Sequence, residues 1–136
     1  MNFTVEKRDK YSIIKVETEK LGGLISPELK AKFVEVNGLG ERNIILNMNN
    51  ARYCDSSGLS AILVGNRLCK NSNGSFVMCG LSDMVQKLVN ISQLGSILNI
   101  TPTEQEAIGA RKQYADYYGL PKTPEDETLY WVDYNT

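Results

Sequence analysis

The sequence predicts an α/β domain: a small mixed, partly parallel β-sheet of four to five strands with about four helices. Two observations carry that reading. Short apolar runs of strand length alternate with stretches whose apolar residues recur at helical spacing, and turn-formers or helix caps separate one from the next. The run Ile44-Ile45-Leu46 is too short for a helix and is flanked by Asn, as expected of an interior strand covered on at least one side.

At the amino end, Phe3 and Val5 alternate with polar neighbours, Asp9-Lys10 reads as a turn, and Tyr11, Ile13, Ile14 and Val16 follow. This is the pattern of a hairpin whose second strand is the better buried. After Gly22-Gly23, Ser26 followed by Pro27 reads as an N-cap and a first-turn proline. Leu29, Phe33 and Val36 then form a helical stripe that ends at Gly38 and Gly40. Residues Ser56 to Lys70 predict a second helix with Leu59, Ile62, Leu63 and Leu68 on one face. Asn71 to Gly74 is a loop of turn-formers, and Ser75 to Cys79 is a strand around Phe76-Val77-Met78. A third helix starts near Ser82 and carries Met84, Val85, Leu88 and Val89, ahead of the apolar Ile97-Leu98. Thr103-Glu104-Gln105-Glu106 is a capping box that opens a fourth helix, with Ala107, Ile108, Tyr114, Ala115 and Tyr118 as its stripe.

One domain core over residues 1–118 is therefore expected, followed by an aromatic, acidic extension over 119–136. The extension combines Glu125-Asp126-Glu127 with Leu129-Tyr130-Trp131-Val132-Asp133-Tyr134. It reads as a strap or added edge strand, or as a contact for a partner, including a second copy in a homodimer.

Composition narrows the chemistry. With 15 Lys plus Arg against 16 Asp plus Glu, the chain has no basic excess with which to neutralise phosphates, so nucleic acid is not an expected partner. The absence of His removes Ser-His-Asp catalysis, Cys-His nucleophiles and His-ligated zinc. Cys54, Cys69 and Cys79 form no C-x-x-C pair, so no disulfide framework, metal or cofactor is expected. No apolar run approaches the roughly 18 residues of a membrane span, and charges occupy the place of a signal-peptide core. A cytoplasmic protein without a membrane partner is the expectation.

The densest group of small polar residues is Tyr53-Cys54-Asp55-Ser56-Ser57-Gly58-Leu59, between a predicted strand and the helix after it. Sites of open α/β sheets lie at such strand ends, and a helix amino terminus favours negative charge. Asp55 and either serine can cap the helix, so the cluster is either a cap or a hydroxyl presented for modification. A hydrolase is disfavoured because no G-x-S-x-G elbow and no His accompany the serines. Cys54 stands where a helix terminus can depress a thiol pKa, although neighbouring strand residues and core packing explain a lone cysteine more often.

Asp55-Ser56-Ser57-Gly58-Leu59 behind Ile45-Leu46-Asn47-Met48, the Ile62-Leu63 helix, the strand Val77-Met78-Cys79 and the helix Val85-Gln86-Lys87-Leu88 together resemble the STAS domains, in particular the bacterial anti-sigma-factor antagonists. The resemblance covers roughly residues 3 to 110 and implies a non-enzymatic phospho-switch. Ser56 is then the phosphoacceptor, with Ser57 as secondary candidate, and Gly22, Asp55, Ser56, Ser57 and Gly58 form the partner-binding set. The implied partners are an anti-sigma factor that is also the serine kinase, and a phosphatase. Where the family carries an acid at the end of its second strand, in a partner-contacting region, this chain has Gly22. The alternative implied by the same resemblance is a scaffold or complex subunit without a switch.

Overall fold

The computed structural model describes residues 1–117. Its elements in chain order are β1 (Phe3–Lys7), β2 (Ser12–Val16), β3 (Lys20–Leu21), α1 (Ser26–Gly38), β4 (Asn43–Asn47), β5 (Tyr53–Cys54), α2 (Ser56–Asn71), β6 (Ser75–Cys79), α3 (Asp83–Ile91), β7 (Asn99–Thr101) and α4 (Glu104–Tyr117). The main sheet has the order β1-β2-β4-β6-β7, in which β1 is antiparallel to β2 and the other pairs are parallel. The expected mixed, partly parallel sheet of four to five strands with about four helices is, among the described residues, a sheet of five strands with four helices. The short strands β3 and β5 pair in parallel as a separate ribbon, Lys20 opposite Tyr53 and Leu21 opposite Cys54.

Strand placement follows from burial. Each parallel strand is joined to the next by a helix, and crossovers of one hand that advance in one direction must lay their helices on one face. Side chains of α1, α2 and α3 accordingly share one core with Ile14, Val16, Ile44, Leu46, Phe76 and Met78. On the other face Ile13, Ile45, Val77 and Cys79 pack with Ala107 of α4. The interior strands are thus apolar on both faces, which is why β4 and β6 read as unbroken apolar runs. β1 and β7 are the edges; only Phe3 of the five residues of β1 is buried. Phe33 of α1 meets Phe76 of β6 edge to face, with ring centroids 5.6 Å apart. The same Phe33 ring leaves no room for a side chain on α2: a Cβ at Gly65 would lie 2.8 Å from it.

Some expectations need correction. On α2, Leu59 and Ile62 are buried, but Leu63 and Leu68 lie half-buried at the margins of the face, whose centre is Ala61, Ile62, Gly65, Asn66 and Cys69. Small residues hold that centre because α1 approaches closely there. Ser26 is not the N-cap of α1; Ile25 is, without a side-chain cap. The turn before it already supplies backbone acceptors, since Ser26 N–H bonds the Gly22 carbonyl and Glu28 N–H that of Ile25. Met84 belonged to the expected stripe of α3, but only Val85 and Val89 are buried and Met84 faces solvent. Half of the capping box forms: Glu106 N–H donates to Thr103 Oγ1 at 3.1 Å, but the Glu106 carboxylate accepts from the Thr103 hydroxyl at 3.1 Å and not from its backbone N–H. The expectations for the 119–136 extension, and for Tyr118, fall outside the described residues.

Truncating the centre of the α2 face should cost more than truncating its margin. Ile62→Ala is expected to lower the unfolding free energy by about 2–5 kcal/mol, and Leu63→Ala by less. Urea unfolding of both variants, with unchanged slope, checks this.

Candidate functional site

β4 ends at Asn47, and the chain returns through the β3–β5 ribbon before entering α2, so that Asp55, Ser56 and Ser57 stand beyond the carboxyl ends of the parallel strands. Asp55 is the N-cap of α2, with extended backbone. Its Oδ1 accepts from Gly58 N–H at 2.9 Å and from the Ser57 hydroxyl at 2.6 Å, and its Oδ2 accepts from Gly23 N–H at 3.2 Å. The Ser57 hydroxyl first, and then the Gly58 amide, hold the Asp55 carboxyl below the usual carboxylate range. A charged cap at a helix amino terminus is also favoured by the helix dipole.

The two serines are not equivalent. Ser57 is half-buried, and its hydroxyl is occupied by Asp55. Its oxygen also lies 3.4 Å from the oxygen of Ser26, whose own proton goes to the Gly22 carbonyl at 2.7 Å. Ser56, at the first helical position, is exposed, and its hydroxyl makes no hydrogen bond among the described residues. Its backbone is held by the helix while its oxygen faces solvent.

Gly58 and Gly22 serve the site by being small. A Cβ at Gly58 would lie 2.4 Å from the Leu21 carbonyl oxygen and 2.8 Å from the Cys54 sulfur, so only glycine lets α2 start against the ribbon. Gly22 is buried, and a Cβ there would begin 3.1 Å from Asp55 Oδ2. The structure thus brings together all five sequence-predicted residues: Gly22, Asp55, Ser56, Ser57 and Gly58. It adds Gly23 and Ser26, the first through its amide and the second through its hydroxyl. The pairing of Gly22-Gly23 with the Asp55 segment depends on the two-residue ribbon, too short to leave a periodicity in the sequence.

The depressed thiol pKa that a helix terminus could give Cys54 is not what its surroundings favour. Burial, and then the Asp55 carboxylate, push it up to about 12, and burial likewise pushes Cys69 to about 12. Among the described residues no cluster of His, Cys, Asp and Glu could hold a metal ion, and no helix is long and apolar enough to cross a membrane.

The profile of the STAS domain matches residues 2–107. The chain belongs to the STAS domain family. The anti-sigma-B factor antagonist of Staphylococcus aureus is 31% identical over 103 residues, covering 74% of this chain and 94% of that protein. Among solved structures, an anti-sigma factor antagonist from Mycobacterium paratuberculosis superposes with a TM-score of 0.72 at 16% identity, over 80% of this chain and 92% of that one. The Bacillus cell fate determinant SpoIIAA in its phosphorylated form gives 0.63 at 24% identity, over 79% and 97%. The STAS fold also occurs inside a larger protein: the murine Slc26a9 anion transporter matches at 0.64 and 14% identity, over 79% of this chain but 18% of the transporter.

The Asp55 cap has a pH signature. A carboxyl whose pKa is lowered by folding adds stability above its unfolded value, about 3.9, and loses it as pH falls through the folded value. Asp55→Ala should cost about 0.5–2 kcal/mol near neutral pH and should lose less stability than wild type on acidification below about pH 4. Urea unfolding across that range checks both.

Proposed function

We propose that this STAS domain is an anti-sigma-factor antagonist, a non-enzymatic phospho-switch that binds a kinase-type anti-sigma factor when Ser56 is unmodified and releases it when Ser56 is phosphorylated. The observation that carries the reading is the contrast at the start of α2: an exposed, unbonded Ser56 hydroxyl beside a Ser57 hydroxyl bound to Asp55. The kinship supports it, since the curated relative is an anti-sigma-B factor antagonist and a structural neighbour was solved in a phosphorylated form.

The chemistry belongs to the partner kinase, which supplies ATP and catalysis; a phosphatase restores the hydroxyl. The domain supplies an acceptor on a rigid helix start. A phosphoryl group brings about −1.5 to −2 charges at neutral pH. At Ser56 those charges stand next to the Asp55 carboxylate and on the surface that a docked kinase must cover. Their desolvation weakens the complex by a factor of ten for about each 1.4 kcal/mol lost. The fold itself is spared because the Ser56 oxygen supports no internal bond.

Gly22 modifies the family pattern without removing this device. Its backbone carbonyl receives Ser26, and its missing side chain leaves Asp55 Oδ2 to the Gly23 amide. Recognition by the kinase at this position therefore uses backbone where relatives use an acid.

The test is a kinase reaction with mass-spectrometric site mapping, run beside a binding titration. Ser56→Ala is expected to bind and never accept phosphate, Ser57→Ala to retain most phosphorylation, and Ser56→Asp to fold as wild type while binding more weakly. Phosphate found only on Ser57, or equal affinities of wild type and Ser56→Asp, sinks the switch. A domain left unmodified by every kinase-type anti-sigma factor of its own organism is a scaffold instead.

A further inference from the structure

One edge of the sheet carries an open groove that extends onto the last helix. β7 pairs with β6 alone among the described residues. The Thr101 carbonyl accepts from Gly80 N–H at 3.4 Å and so faces β6, and backbone groups alternate in direction along a strand. Ile100 therefore turns its N–H and C=O outward, to the open side. The groove beside it is lined by Gln86 and Asn90 of α3, by Leu98, Ile100 and Thr101, and by Ala110 of α4, and none of its lining residues is charged. Ile91 and Ile97, each next in the chain to a lining residue, are 77% and 47% exposed.

The two sheet edges are built differently. β1 carries polar and charged side chains tied to their own neighbours: Lys7 pairs with Glu41, Glu6 with Arg8, and Thr4 with Glu17. Such an edge repels a further strand. β7, with Asn99, Ile100 and Thr101, has no charge. An outward backbone pair beside an uncharged groove is what a further strand needs.

The chain itself supplies one. α4 passes the groove at Ala110, and Tyr117, seven positions on and the last described residue, lies about 10 Å farther along the helix axis. Beyond it, Leu129-Tyr130-Trp131-Val132-Asp133-Tyr134 is a run of strand formers whose first four residues are uncharged. The eleven residues 118–128 span up to about 36 Å, enough for the run to reach β7. β1 lies four strand spacings away, about 19 Å across the sheet. We propose that residues 129–134 dock in this groove as an edge strand antiparallel to β7, exchanging backbone hydrogen bonds with Ile100 and laying aromatic side chains over Ile91 and Ile97. The direction follows from handedness. α1, α2 and α3 pack on one face of the sheet and α4 on the other, so a parallel strand added beyond β7 through α4 would make a crossover of the opposite hand. The docking is independent of the phospho-switch.

The experiment uses the full chain, in which Trp131 is the one tryptophan, so that its emission reports on the run alone. The native emission is expected to lie to the blue of that of the urea-unfolded chain. Ile97→Asp, which sets a charge at the groove, should shift it back to the unfolded position while leaving the far-ultraviolet circular dichroism unchanged. Val5→Asp, at a 42% exposed valine on β1, should leave the emission where it is. Hydrogen exchange gives a second readout: the Ile100 amide should be protected in the wild type and lose that protection in Trp131→Asp. An unfolded-like emission from the native wild type overturns the proposal, as does an emission moved by Val5→Asp and not by Ile97→Asp. An Ile100 amide that exchanges freely in the wild type, or stays protected in Trp131→Asp, overturns it equally. So does a dimer whose dissociation on dilution exposes Trp131, since the run then lies on a second copy.

Discussion

Three donors from two separate stretches of chain converge on the carboxylate of Asp55: the Ser57 hydroxyl and Gly58 amide of its own helix, and the Gly23 amide from the turn before α1. That convergence is the constraint on which the rest of the site depends. It caps α2, so the helix starts at Ser56. It occupies the Ser57 hydroxyl, so the neighbouring serines become chemically different. It also fixes the turn before α1. One carboxylate thereby couples a helix terminus, the difference between two neighbouring serines and the turn before α1.

The core permits this arrangement by keeping its demands elsewhere. Parallel strands with helices of α1, α2 and α3 on one face and α4 on the other bury their apolar side chains over the whole length of β4 and β6. Stability is then supplied by packing well below the site, and polar groups at the strand ends are free for recognition. Of the polar residues that enter the interior, Asn66 on α2 keeps a buried Oδ1 with no hydrogen-bond partner among the described residues, whereas Glu41 and Asn47 are satisfied locally. Glu41, buried at the opposite end of the sheet, takes Lys7 at 2.7 Å and the Ser12 hydroxyl at 2.8 Å, and so ties the β1–β2 hairpin to β4. Asn47 at the end of β4 donates to Glu104 at 2.8 Å and anchors the first turn of α4. Neither network involves Ser56 or the Asp55 cap.

Glycine at two positions sets how closely these parts approach. Gly58 lets the helix start press on the Leu21 carbonyl, and Gly22 leaves Asp55 open to a backbone donor where a longer side chain would crowd it. Here Asp55 Oδ2 takes the Gly23 amide.

The sequence by itself determined the class of the fold, the helices α1 to α4, the strands β2, β4 and β6, and the segment in which the site lies. These are written in local patterns: apolar period, caps such as Asp55 and Ser82, and turn-formers such as Asn71 to Gly74. Five site residues were legible there through the resemblance carried by the Asp55 to Leu59 motif. The tertiary structure alone decided the rest. The β3–β5 ribbon has two residues on each strand, too few for a pattern, and exists because the ends of two crossovers meet. The inner face of α2 passes through Gly65 and Asn66 and leaves Leu63 at its margin because α1 packs close, which no hydropathy count registers. Ser26 exchanged its expected cap for a bond to Gly22, and the bond from Asp55 to Gly23 spans 32 positions. Local propensity is read from neighbours in the chain; which serine is free, and which leucine lies at a margin, depends on donors and atoms that only folding brings within reach.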